Sequence, residues 1–281
     1  MFLDGDCILT RDHVRIHLER RRPGVVMAGD CCRLDQPTSE RVTSEAIRSG
    51  AYAEWGPESE RRRLSKLDRS SRFYCWIRHP TKPKLIGNNV GIWRSDFERV
   101  NGYDENFEGW GCEDDDLRWR LRKSGVRIES ILRWTRTYHL WHPTDVTAPT
   151  TWRQGANVDY LLRKGRLTRC RNGLTARRVE DLSIRVVGHP AEPHTVERLL
   201  GRRFADRAAA RPEVEILFLP GKGGFSGRAD YNVLVALDAQ AARSRHARRA
   251  HLTIVSQPAE ASHSCLPLDP QLFERALAAV A

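Results

Sequence analysis

The sequence predicts an α/β protein in two parts, and three observations carry that expectation. Short apolar runs bounded by turn residues, at 25–28 and 126–131, read as buried strands. Residues 113–124 read as a helix: acids fill the first turn, basic residues the last, Leu117 and Leu121 share a face, and Gly125 suits a left-handed C-terminal position. From Leu182 onward, apolar runs at 184–187, 214–219, 233–237 and 252–255 alternate with Ala/Arg-rich helical stretches, the pattern of a small α/β unit.

Taken in order, residues 2–8 read as the end of a strand running into Asp4-Gly5-Asp6. A helix follows, with Thr10 as its N-cap and Val14 and Leu18 on one face. Pro23-Gly24 stops it before the 25–28 strand. Residues 33–84 are polar and loop-rich, with helices around 39–49 and 57–68, and Arg61-Arg62-Arg63 reads as a solvated helix face. Residues 85–93 read as a strand broken by Gly87-Asn88-Asn89. Ser95 and Glu98 have capping-box spacing and open a short helix ended by Gly102. A flexible loop, 108–112, leads into the acidic helix. Residues 153–185 hold nine basic residues against three acids, more than half the net charge. Pro220-Gly221-Lys222-Gly223-Gly224 lacks phosphate-loop order and reads as a glycine-rich turn.

Composition narrows the class. The 281 residues are 40 % hydrophobic and 30 % charged, which excludes a disordered polyelectrolyte and a membrane protein. No apolar run reaches the ~18 residues of a spanning helix. MFLDGDC has two acids and no basic segment, unlike a secretory signal. Seven scattered cysteines without a C-x-x-C pair suit reduced thiols in a cytosolic compartment. The net charge of +11 raises nucleic-acid binding, but the apparent motifs are acidic and no nucleic-acid module is recognisable.

Three constellations could carry chemistry. Asp4-x-Asp6 at a strand end offers hard oxygen donors to Mg²⁺ or Mn²⁺, although such a pair taken alone is better read as a solvated turn around Gly5. Glu113-Asp114-Asp115-Asp116 exceeds what a helix dipole needs, which suits a base held among like charges beside Trp110 as an aromatic plate for a sugar. His139 and His142 would face opposite sides of a strand, so only one of them would join Asp6 in an O,O,N metal site.

Together, FLDGDC (2–7), GNNVGIWRSDFERVNGYDENFEGWGCEDDDLRWRLRKSGV (87–126) and YHLWHP (138–143) resemble the inverting glycosyltransferases of family 2, nearest those sharing the C-terminal module of the β-1,4-galactosyltransferases. The resemblance implies a GT-A-like mixed sheet flanked by helices. It covers residues 2–145 and lacks the family's first nucleotide-binding strands, so it implies an N-terminally truncated chain with an unpaired edge at residues 2–6, poor stability and weak turnover. It implies Asp114 as catalytic base, Trp110, Glu113 and Asp115 as acceptor contacts, Asp4 on the donor side, and Asp6 with His142, or His139, as ligands of Mn²⁺ or Mg²⁺. The family's W-G-G reads Trp110-Gly111-Cys112 here, which restricts the loop.

The expected domains are a metal- and acceptor-binding part at 1–150, a basic linker at 151–181 and an α/β appendage at 182–281. The resemblance implies transfer of a hexose from a UDP-sugar to a glycan or lipid-linked acceptor in cell-surface polysaccharide synthesis. The cysteines point to a cytoplasmic location, and the basic cluster at 153–185 reads equally as a peripheral contact with anionic lipid at the inner face of the membrane or as a solvated surface. The alternative is a non-catalytic saccharide-binding remnant.

Overall fold

The structure is a computed structural model that describes residues 1–188, 211–255, 265–267, 271 and 275. It is a mixed α/β protein whose chain divides into two compact units, Met1–Leu161 and Leu162–Ala281. The basic stretch 153–185 is shared between them. No helix among the described residues is long and apolar enough to cross a membrane.

The first unit contains two three-stranded sheets. One has the order β4-β2-β5, with β2 (Val25–Ala28) antiparallel to β4 (Val90–Gly91) and parallel to β5 (Arg127–Ser130). The other has the order β1-β6-β3, with β6 (Thr137–His139) antiparallel to β1 (Cys7–Leu9) and parallel to β3 (Cys31–Arg33). Helices α1 (His13–Arg20), α2 (Gln36–Glu40), α3 (Ser44–Ser49), α4 (Glu58–Trp76), α5 (Arg94–Arg99) and α6 (Glu113–Lys123) complete the frame. Val26, Ala28, Val90, Leu117, Leu121 and Ile128 form one core cluster. Leu117 and Leu121 are fully buried, each contributing about 2 kcal/mol of apolar burial. Helix α6 ends as expected: Gly125 takes a φ of 90°, its N–H donates to the Arg122 carbonyl, and the Val126 N–H donates to the Leu121 carbonyl.

Several local expectations change. Asp4 and Asp6 do not follow a strand; they sit in a turn that precedes β1, closed by the Cys7 N–H on the Asp4 carbonyl. Nor is this segment unpaired: Phe2 exchanges backbone hydrogen bonds with Val90, and β1 pairs with β6. Helix α1 starts after Asp12 rather than Thr10, whose hydroxyl instead meets that of Thr135 at 3.0 Å. Its buried face is His13 and His17, while Val14 and Leu18 are about half exposed. Each imidazole has a partner there, Thr135 for His13 and Asn89 for His17, and burial pushes His13 down to about 4. Ser95 lies inside α5 rather than capping it, and Glu98 pairs with Arg94. Only 90–91 of the expected 85–93 strand pairs as a strand. In the Arg61–63 run, Arg63 turns inward to Asp30 at 2.8 Å.

Among the described residues, the second unit holds an all-parallel five-stranded sheet in sequential order, β7 (Ile184–Val187), β8 (Val214–Leu219), β9 (Tyr231–Ala236), β10 (Leu252–Val255) and β11 (Cys265–Pro267). Val214, Ile216 and Phe218 pack on one face and Leu217 and Leu219 on the other. Burial on both faces explains why these strands read as continuous apolar runs. The helical segment expected between the first two strands lies at 189–210, outside the described residues.

Candidate active site

A cleft of about 1120 Å³ opens on the first unit, and all eight side chains singled out from the sequence line it. Sheet direction brings them there. Because β1 runs antiparallel to β6, Cys7 lies opposite His139, so the turn before β1 meets the end of β6. The Leu140 N–H donates to the Asp6 carbonyl at 3.0 Å and locks the two segments together.

Both histidines reach Asp6. His139 Nε2 lies 3.4 Å and His142 Nε2 3.0 Å from Asp6 Oδ2. Strand alternation allowed only one of them, but β6 ends at His139 and the chain beyond it is free to turn. The imidazole Nδ1–H of His139 donates to the Leu140 carbonyl at 2.7 Å and that of His142 to the Pro143 carbonyl at 2.6 Å. In a neutral ring this leaves Nε2 as a bare lone pair. Two such lone pairs then face a carboxylate whose other oxygen, Asp6 Oδ1, is buried without a hydrogen-bond partner among the described residues. Three acceptor groups within 4.8 Å of one another repel unless a proton or a metal cation lies between them. The donor set O,N,N thus suits a divalent metal. Asp4 is exposed at the mouth; partial desolvation and the neighbouring Asp6 raise its carboxyl above the ordinary range.

Asp114 faces the same cleft from the first turn of α6. Its Oδ1 accepts the Tyr103 hydroxyl at 2.9 Å and its Oδ2 the Gly87 N–H at 2.8 Å. Burial, aided by Glu113 and Asp4, raises it to about 6 despite these two bonds. A carboxylate has about four lone-pair positions, so two remain to accept a proton. Glu113 Oε2 is buried without a partner among the described residues, whereas Asp115 is bound to Arg118 at 2.9 Å.

The loop before α6 is held in place. The Trp110 N–H donates to Thr147 Oγ1, and Asn157 Nδ2 donates to the carbonyls of Glu108 and Gly111, each at 2.9 Å. The Trp110 ring remains about half exposed over the cleft. Cys112 adopts a φ of 81°, a left-handed conformation that costs a side-chain-bearing residue about 1 kcal/mol or more.

Tyr103, Gly87, Arg118, Thr147 and Asn157 were not foreseen. Tyr103 sits eleven residues before Asp114, and its phenol is pushed upward by burial beside that carboxylate. An aromatic beside a turn glycine was the only available signal. Asn157 and Thr147 act across 46 and 37 residues of chain, which periodicity does not report.

A family model described as the N-terminal domain of galactosyltransferase matches residues 70–143. Over 160 residues the chain is 26 % identical to a polypeptide N-acetylgalactosaminyltransferase 5 of Caenorhabditis elegans, covering 56 % of this chain and 25 % of that protein. Over 74 residues it is 50 % identical to a validoxylamine A glucosyltransferase of Streptomyces hygroscopicus subsp. jinggangensis, covering 26 % and 15 %. Over 60 residues it is 35 % identical to a β-1,4-galactosyltransferase 4 of Rattus norvegicus, covering 20 % and 17 %. The chain thus spans a quarter or less of the length of these relatives.

Proposed function

We propose that this chain carries the metal- and acceptor-binding part of an inverting glycosyltransferase that uses a nucleotide-sugar donor. One observation carries the reading. A half-buried carboxylate raised to about 6, Asp114, shares a cleft with the converging acceptors of Asp6, His139 and His142. The names of the three relatives, all sugar transferases, support the same chemistry.

In this reading Asp114 removes the proton of an acceptor hydroxyl, with Tyr103 and Gly87 fixing its two oxygens. The freed oxygen forms a bond to the anomeric carbon from the face opposite the diphosphate. The carbon–oxygen bond to the diphosphate breaks, its electron pair leaves with the nucleotide, and the anomeric configuration inverts. Glu113 Oε2 is free to accept a hydrogen bond from another acceptor hydroxyl. Trp110 offers its exposed ring to the apolar face of a sugar. Asp6, His139 and His142 would hold a divalent cation, whose charge would stabilise the departing diphosphate. Two imidazoles favour Mn²⁺ over Mg²⁺, which prefers oxygen ligands and its own waters.

The test uses the chain with Mn²⁺, a UDP-hexose and a panel of acceptor sugars, measuring release of UDP. The reading expects acceptor-dependent release that Asp114→Asn removes. Acceptor binding by calorimetry with no release would reassign the chain to a saccharide-binding module.

A further inference from the structure

At the other end of β1 and β6 from Asp6, a second hollow of about 380 Å³ opens. The register places it: Leu9 pairs with Thr137, and the lining residues Thr10 and Arg136 extend those two strands away from Cys7 and His139. The hollow shares no lining residue with the Asp114 cleft.

Three arginines line it, from three parts of the chain: Arg11 before α1, Arg61 on α4 and Arg136 before β6. Arg11 Nη2 donates to the carbonyls of Arg48 and Ser49 at the end of α3, at 2.6 and 3.0 Å. Arg61 Nη2 donates to the Glu54 carbonyl. These bonds orient the two guanidinium groups, but neutral carbonyls do not cancel their charge. Arg136 is half-buried, and its guanidinium has neither a hydrogen bond nor an ion pair among the described residues. The one acid in the wall, Asp12, is already bridged to Arg15 at 3.2 Å. Trp134 forms another wall, and the Arg20 guanidinium stacks against its ring at 4.1 Å from the centroid. The linked hydroxyls of Thr10 and Thr135 add polar contacts.

Like charges gathered in a concave site repel one another more strongly than on an open surface, because less water lies between them. An anion converts that repulsion into attraction. Guanidinium forks match the spacing of phosphate or carboxylate oxygens. A single carboxylate would leave most of the charge here uncompensated, whereas a phosphate monoester carries about −1.5 to −2 near neutral pH and presents three acceptor oxygens. We propose that the Arg11–Arg61–Arg136 hollow is a binding site for a phosphate monoester, carried by a soluble metabolite or by a lipid headgroup. The site stands apart from the sugar-transfer reading and can fail or hold without it.

The experiment titrates inorganic phosphate into the full chain by calorimetry, with ionic strength held constant by sodium chloride. The expected result is saturable binding of one phosphate per chain, weakened at least about tenfold by Arg136→Gln, the loss of one charge-assisted contact. Arg61→Gln, at an exposed position of α4, gives an independent weakening should Arg136→Gln fail to fold. A second arm sediments the chain with phosphatidylcholine vesicles containing phosphatidic acid. Recruitment lost in Arg136→Gln assigns the monoester to a lipid, and binding of free phosphate without recruitment assigns it to a soluble ester. No saturable phosphate binding, or equal binding by both variants, overturns the proposal.

Discussion

Helix α6 presents two acids to two environments, and the comparison shows what burial does to the same side chain. Asp114, toward the cleft, accepts two hydrogen bonds from neutral donors and is raised to about 6. Asp116, toward the core, accepts a 2.6 Å charge-assisted bond from Arg120 Nε; both side chains are almost wholly buried. Arg120 Nη1 in turn donates to the carbonyls of Val100 and Gly102, tying the chain after α5 to α6. Burial with only neutral donors leaves the Asp114 carboxylate reluctant to ionise and hence basic, whereas the Asp116 carboxylate is occupied by a guanidinium. On one helix, then, the first acid is available for proton transfer and the second holds the fold.

Substitutions separate the two roles. Asp114→Asn should lower kcat by about 10²- to 10⁴-fold, the range of a lost general base, with little change in KM, in the UDP-release assay. Asp116→Asn should instead cost about 3–5 kcal/mol in urea denaturation by removing the buried carboxylate that Arg120 Nε binds. If Asp116→Asn abolished turnover with unchanged stability, the division between the two faces would be wrong.

pH sharpens the contrast. Burial raises Asp114 from 3.8 to about 6, so between those values the folded chain holds a proton that the unfolded chain has released. Asp114 therefore favours folding most below about pH 4, and this contribution is lost as pH rises through about 6, a change of about 3 kcal/mol. Asp114→Asn cannot titrate. Its stability relative to the unmodified chain should rise by that amount between pH 4 and 7, measured by urea denaturation at each pH. The pH profile of kcat/KM should rise with ionisation of the base near pH 6.

Two smaller effects concern the cleft side. Mn²⁺ at about a hundred times its Kd should stabilise the chain by about 2.7 kcal/mol, seen as a rise in melting temperature that a chelator reverses. Replacing His139 and His142 by Ala should remove that rise. Cys112→Gly should relieve the left-handed backbone before α6 and stabilise the chain by up to about 1 kcal/mol, read from the urea midpoint.

Helix α6 was legible residue by residue because its signals are local. Acids at one end, Gly125 at the other and the Leu117–Leu121 spacing all act within one helix. Even the split between Asp114 and Asp116 follows from helical geometry, since residues two apart lie about 200° around the axis. Helix α1 was misread because the apolar pair Val14 and Leu18 outranked two histidines that find partners only when folded. Thr135 lies 122 residues from His13, and Asn89 lies 72 from His17.

The sequence by itself determined the α/β class, the helix bearing the acids and eight of the residues that line the cleft, because residue type and short-range spacing carry that information. Tertiary structure alone decided that the turn before β1 would meet the end of β6, that both histidines would reach Asp6, and that Tyr103 and Gly87 would hold Asp114. Each of these depends on strand direction, on where a strand ends, or on a hydrogen bond between distant residues. These are set by how sheets pair and how buried polar groups find partners, and no local pattern records them.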